Sequence, residues 1–291
     1  MNTKAKLAPV VAVLNMKGGV GKTTISAHLM RVLYLRLMKK TVVIDFDPQF
    51  NLTQTVIPQT HYEKLKQAGT TILSVMEQAP QISLFSVSQA TTAPPSLNDV
   101  SIVMKQTNNA AAELRIVPGD FGLVKYSLID DTASLAPVRK RFRTFIEQAR
   151  QQMDLVCIDC NPSSSFMTIC ALEAATHVLV PVRPDRFSIL GLELLDQFIK
   201  ELPTLPIKPK IIAILNGISR TNYDPTVENI LRSHPEFGSR TLSNRIYMSS
   251  ILAANPTYTG YATDKKVPHR HSISNNLAAA AIELGKELGL T

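Results

Sequence analysis

Short apolar runs recur along the chain at 10–14, 41–44, 114–117, 154–158, 177–182 and 210–215. They are rich in Val and Ile and apolar on both faces, as strands inside a buried parallel sheet are, without the in-out alternation of a half-wetted sheet. Between them the pattern changes to a helical period. Helices are predicted over 23–38, 138–152, 166–174 and 188–201, and in the last of these Ile189, Leu192, Leu195 and Ile199 share one face. An Ala-rich packing helix is predicted over 274–288. Strand then helix, repeated, predicts an α/β fold: a doubly wound, mostly parallel sheet flanked by helices.

The stretch 55–113 breaks the rhythm with Pro58, a short helix expected over 72–76 and the polar piece Thr91-Thr92-Ala93-Pro94-Pro95-Ser96. It reads as a surface insertion on a single domain spanning 1–291. The 291 residues leave ample sequence for a core, at about 150 residues per domain. Hydrophobic residues at 45% and charged residues at 19% are ordinary for a globular protein. No segment reaches the roughly 18 uninterrupted apolar residues of a membrane span. Lys4 and Lys6 precede an apolar run as in a secretory signal, but that run leads into Lys17-Gly18-Gly19 with no small-residue cleavage site. It is read as the first core strand, and a cytoplasmic location is expected.

Cys157, Cys160 and Cys170 crowd into one short stretch, a poor disulfide framework that suits a reducing compartment. On a strand, residues three apart point to opposite faces, so Cys157 and Cys160 cannot pinch a metal between them and are expected in the core. Lys and Arg total 31 against 23 Asp and Glu, a net charge of +8. That excess points to a polyanionic partner, nucleic acid or a membrane surface.

The first strand runs through Asn15-Met16-Lys17-Gly18-Gly19-Val20-Gly21-Lys22-Thr23-Thr24 into a helix, the context a phosphate-binding loop requires. Glycines let backbone N–H groups turn inward around a phosphate, and the helix N-terminus adds partial positive charge. Lys22 is placed to reach the β- and γ-phosphates and the Thr23 hydroxyl to ligate Mg²⁺. The general phosphate-loop pattern would need glycine at position 16, where the chain has Met16, and the chain has an extra lysine at Lys17.

This loop resembles the deviant Walker A loop of the ParA/MinD family of P-loop ATPases. The resemblance implies ATP and Mg²⁺ as cofactors, and that Lys17 reaches across a nucleotide-sandwich homodimer to phosphates held by the other subunit. By the same resemblance Gly18, Gly19, Val20, Gly21, Lys22, Thr23 and Thr24 cradle the nucleotide. Asp45-Phe46-Asp47-Pro48-Gln49-Phe50-Asn51 is similar to the family's switch I, with Phe50 in place of the usual glycine. Asp47 would then orient the attacking water, completing a catalytic set with Lys17 and Lys22, and Asp45 would support the metal shell. The segment 153–163 resembles Walker B and switch II, with Asp159 on the metal and Asn161-Pro162 replacing the usual Pro-Pro. The segment 179–192 resembles the strand and loop entering the family's Ser-x-x-Gly-Leu helix, and Pro184 and Asn216 sit where base-contacting loops are expected. These matches cover about 9–55 and 114–220.

Basic residues gather at Arg232, Arg240, Arg245, Lys265, Lys266 and Arg270 in a basic C-terminal part, 232–271, a candidate DNA-phosphate surface. A second cluster, Arg139, Lys140, Arg141 and Arg143, is equally compatible with a solvated helix face. The resemblance implies non-specific DNA and an activating ParB-like adaptor as partners, on the nucleoid. No membrane anchor is expected, because Glu283, Lys286 and Glu287 give the last helix the wrong charge for anionic lipid. An iron–sulfur role is disfavoured by the absence of cysteine after Cys170. The leading expectation is thus a ParA-like ATPase that positions plasmid, chromosome or protein cargo. A MinD-like switch acting on protein partners without DNA is the alternative, and a metabolic P-loop enzyme a third reading.

Overall fold

The computed structural model describes residues 7–78, 83–88, 91–161, 165–205, 207–253, 258–266 and 268–291. Strand β1 (Val10–Val13) feeds a long helix made of α1 (Lys22–Thr24), a π-helical turn (Ile25–Leu29) and α2 (Met30–Arg36). After β2 (Lys40–Phe46) come α3 (Asn51–Val56), α4 (Gln59–Gln67), α5 (Ile72–Met76) and α6 (Leu97–Val100), then β3 (Ile102–Gln106) and β4 (Glu113–Val117). A 3₁₀ stretch, Phe121–Ser127, leads to α7 (Thr132–Gln152), β5 (Leu155–Cys160), α8 (Phe166–Ala174) and β6 (His177–Val182). The chain continues through α9 (Arg186–Glu201), β7 (Lys210–Ile218), α10 (Thr226–Ser233), β8 (Ile246–Tyr247) and α11 (Arg270–Glu287).

The eight strands form one sheet in the order β3-β4-β2-β5-β1-β6-β7-β8. Only the edge pair β3–β4 is antiparallel. The chain leaves β1 toward β2 and β4, returns to β5, and crosses β1 to reach β6. That reversal opens a crevice at the carboxyl ends of the central strands, where doubly wound sheets bind ligands.

Both faces of the sheet are buried, and the alternation within single strands shows why. Val10 and Ala12 join a core layer with Phe142, Phe145 and Leu192, while Val11 and Val13 pack on the other side with Leu29, Leu33 and Leu284. Phe46 stacks on Phe142 with ring centroids 4.4 Å apart. Cys157 and Cys160 fall in opposite layers, three residues apart on one strand.

The six expected strands and the longer expected helices are present; β3 and β8 are additional. β3 is an edge strand with a half-exposed pattern and an irregular register between Val103 and Lys105, and β8 has two residues, so neither carries a periodic signal. The segment 55–113 contributes Ile72, Val75, Met76, Leu97 and Val100 to the core as well as β3 to the sheet. Its anchor is Arg141 on α7, buried at 5% exposure. The guanidinium donates to the carbonyls of Val75 at 2.8 Å, Thr92 at 2.6 Å, Ala93 at 2.7 Å and Ser74 at 3.0 Å. Beside it Glu77 receives Lys125 at 3.1 Å and the Tyr126 hydroxyl at 2.5 Å in a fully buried network.

A strap, 258–266, crosses behind the crevice. Tyr258 and Gly260 N–H groups donate to the Gln54 and Thr55 carbonyls of α3, each at 2.8 Å. Ala262 N–H donates to His28 Nδ1 at 3.2 Å. Asp264 pairs with Arg31 at 2.9 Å and Lys105 at 2.7 Å.

Candidate nucleotide site

A cleft of about 520 Å³ lies in the crevice, lined by Gly18, Gly19, Gly21, Lys22, Thr23, Thr24 and Asp47 on one side and Arg183, Asn216, Gly217, Tyr247 and Met248 on the other. Gly19 and Gly21 have φ of 73° and 95°, left-handed conformations that favour glycine. A side chain at Gly21 would also collide with the Asn216 carboxamide. That carboxamide donates to the Val20 carbonyl at 2.7 Å and ties the loop to β7.

Lys22 is 7% exposed, and its ammonium folds back toward the carbonyls of Lys17 at 3.3 Å and Asn15 at 3.5 Å. Burial pulls its pKa down, opposed by the charges of Asp159 and Asp47. Asp47 is buried at the mouth, and its Oδ1 accepts the Gln49 N–H at 2.9 Å. Burial raises its pKa, and Lys22 partly counters the shift. This places a cation for phosphate and a carboxylate of raised basicity in one cleft.

Asp45 and Asp159 are paired in register on β2 and β5. Both are buried. Asp45 Oδ2 accepts the Thr53 hydroxyl at 2.6 Å and its N–H at 2.8 Å. Burial, then Asp159, pushes the Asp45 pKa up to about 8. Its carboxyl is engaged by Thr53, and neither it nor Asp159 lines the cleft. Asp159 Oδ1 accepts the Ser26 hydroxyl at 2.7 Å. Burial pushes its pKa up to about 7, against the pull of Ser26 and Thr23. Its other oxygen, Oδ2, is buried with no hydrogen-bond partner among the described residues. An orphaned hard oxygen near the Thr23 hydroxyl and the phosphate loop fits a divalent cation such as Mg²⁺.

Lys17 turns away from the cleft it borders. Its ammonium meets Asp185 Oδ1 at 2.6 Å and lies 5.8 Å from the Phe187 ring centroid. Asp185 also caps α9 by accepting the Ser188 N–H at 2.9 Å. Pro184 does not line the cleft, whereas its neighbour Arg183 does, packed over Gly217. Tyr247 and Met248 are not singled out by sequence, because β8 is too short to register as an element; Arg183 follows β6 inside the 179–192 match without a role assigned to it. Pro162 and Ser163 of the switch II match lie outside the described residues.

The basic residues are distributed. Arg232 and Arg245 grip the buried Glu228 at 2.7 Å and 2.9 Å. Arg240 and Lys266 are exposed, and Lys265 and Arg270 half-buried, and none of these four has an ion pair among the described residues. On α7, Arg139 pairs with Glu173 at 3.0 Å and Arg143 with Glu147 at 3.7 Å. Among the described residues no helix is long and apolar enough to cross a membrane.

A glycine loop between strand and helix, a buried lysine within it and an aspartate at the end of the neighbouring strand define a P-loop nucleotide-binding protein. Residues 8–212 match the AAA domain family, and the chain belongs to it; with its deviant loop it is a P-loop ATPase of the ParA/MinD type. The chain is 29% identical over 186 residues to the sporulation initiation inhibitor protein Soj of Bacillus subtilis, covering 64% of this chain and 62% of Soj. It thus spans less than two thirds of that relative. A plasmid partition protein from Borrelia burgdorferi superposes with a TM-score of 0.61 at 18% identity, over 96% of this chain and 100% of that one. Cobyrinic acid a,c-diamide synthase from Mycobacterium smegmatis, with ADP and magnesium bound, gives 0.66 at 19% identity over 97% of each chain. These two likenesses are of fold.

Proposed function

We propose that the protein hydrolyses Mg²⁺-ATP in this cleft, closes a sandwich dimer around two nucleotides, and holds non-specific DNA until a ParB-like partner stimulates hydrolysis, thereby positioning cargo on the nucleoid. The observation that carries this reading is the placement of the two loop lysines. Lys22 is buried inside the cleft, while Lys17 stands outside it on Asp185, with a side chain 32% exposed. A lysine that does not line its own cleft is available to the nucleotide of a second copy.

In the proposed cycle, the loop N–H groups and Lys22 bind the phosphate chain and counter the charge that develops on it. Bound Mg²⁺ would neutralise phosphate charge, held through Thr23 and Asp159. Asp47 orients a water for in-line attack, and Lys17 of the second subunit adds positive charge in trans. Asp45, engaged by Thr53, shapes switch I from behind. Arg183, Asn216 and Tyr247 border the space for the base. Arg240, Lys265, Lys266 and Arg270 are the leading DNA contacts, since Arg232 and Arg245 already hold Glu228.

The reading is supported by the partition protein that shares the fold and by the ADP and magnesium held by another neighbour. The diamide synthase keeps a metabolic reading in view, for which small-molecule stimulation of turnover is the signature. The test is binding to arbitrary duplex DNA with ATP, ADP or no nucleotide, beside Lys17→Ala. Binding that needs ATP and is lost in the variant is expected; binding indifferent to nucleotide, or absent, sinks the DNA cycle and favours the protein-switch alternative.

A further inference from the structure

One buried hydroxyl behind the phosphate loop has no part in the cycle above. Ser26 is fully buried and lies in the π-helical turn Ile25–Leu29 that directly follows α1. Such turns widen a helix locally and re-aim its side chains, and they concentrate at functional sites. Here Ser26 meets Asp159 of β5 at 2.7 Å, and His28, two residues on, meets Ala262 of the strap.

The two oxygens of Asp159 have unequal surroundings. Oδ1 is held by Ser26, and Oδ2 is buried without a hydrogen-bond partner among the described residues. The terminal torsion of an aspartate is soft, so a carboxylate with no fixed oxygen samples many orientations. One short hydrogen bond to a side chain on a packed helix removes most of that freedom. Ligating carboxylates elsewhere depend on such outer partners, whose loss typically costs about 10–100-fold in metal affinity.

We propose that Ser26 is a positioning residue for the divalent cation: by holding Oδ1 it fixes the Asp159 carboxylate and leaves Oδ2 as the oxygen open to the metal. This rests on the reading of the cleft as a Mg²⁺-nucleotide site. Ser26 itself touches neither metal nor nucleotide. A merely space-filling Ser26 would influence folding stability and leave the Mg²⁺ dependence of nucleotide binding where it was.

The test is equilibrium binding of a fluorescent ADP to the full chain, first in EDTA and then across a Mg²⁺ titration, for wild type, Ser26→Ala and Ser26→Thr, with thermal melts of each. In Ser26→Ala the affinity in EDTA is expected to be unchanged, while the Mg²⁺ concentration at half-effect rises about 10–100-fold. Ser26→Thr keeps the hydroxyl, so its titration is expected within a few-fold of wild type even if the added methyl lowers its melting temperature. A wild-type Mg²⁺ midpoint in Ser26→Ala, or an equal loss of affinity with and without Mg²⁺, overturns the assignment. Failure of the wild-type protein to bind ADP would instead remove the nucleotide reading on which it rests.

Discussion

Two charged groups in the cleft make opposite demands on their surroundings. Burial pulls the Lys22 pKa down while Asp159 and Asp47 pull it back up, and removing a buried charged partner of a bound anion costs about 2–5 kcal/mol. Lys22→Ala is therefore expected to weaken ATP binding by roughly 30-fold or more, read by equilibrium fluorescence. Asp45 is the reverse case, a carboxyl that burial drives toward neutrality. Its pKa rises from 3.8 to about 8 on folding, so the folded chain holds a proton that the unfolded chain releases. By linkage the stability associated with this group falls as pH rises from about 4 to 8. Asp45→Asn, neutral at every pH, is expected to gain melting temperature over wild type at pH 8 and little at pH 4.5; a constant difference would refute the argument. The phosphate loop was legible in sequence because its glycines, lysine and threonine form a contiguous pattern with one structural meaning. The partners of Lys17 and Asp45 were not. Asp185 reaches Lys17 from 168 residues away through tertiary packing, which leaves no local trace, and Thr53, eight residues from Asp45, is brought back to it only by the turn between β2 and α3.

At the scale of elements, the sheet was readable because strands buried on both faces announce themselves as apolar runs. The edges were harder: β3 is half-wetted and β8 too short, yet β8 supplies Tyr247 to the cleft. The region 55–113 misleads for a related reason. Its buried residues come in short clusters, and what unites them is Arg141, a residue that composition assigns to the surface. Its guanidinium satisfies the carbonyls of Ser74, Val75, Thr92 and Ala93; of these Val75 is buried, and orphaning a buried carbonyl costs about 1–3 kcal/mol, to which the lost packing of the buried side chain adds. Arg141→Ala is expected to destabilise by about 3–5 kcal/mol in denaturant melts. Arg141→Lys should restore little, because an ammonium lacks the planar fork that meets several acceptors at once. A near-wild-type melt for either variant would show that the α5 and 91–93 segments hold without this anchor.

The whole molecule carries a net charge of +8, and under the proposed DNA cycle its exposed basic residues would set the salt response. Each DNA phosphate neutralised contributes about −0.9 to the slope of log K against log salt. Lys266→Ala is expected to flatten the slope by about one such increment, and Arg232→Ala, whose partner is Glu228, to leave it unchanged. Equal changes in both variants would show that Arg232 leaves Glu228 to contact DNA. The order of the sheet has a further consequence, for synthesis. β1 precedes the other strands of this sheet in the chain, yet its partners are β5 and β6, made more than a hundred residues later. Until then the phosphate loop hangs from a strand with two bare apolar edges, and loop closure over so long a separation is slow. A nascent chain halted before β5 carries every residue of the loop and no cleft. Unpaired apolar edges of this kind make a partly made chain prone to aggregate, until β5 and β6 close on β1.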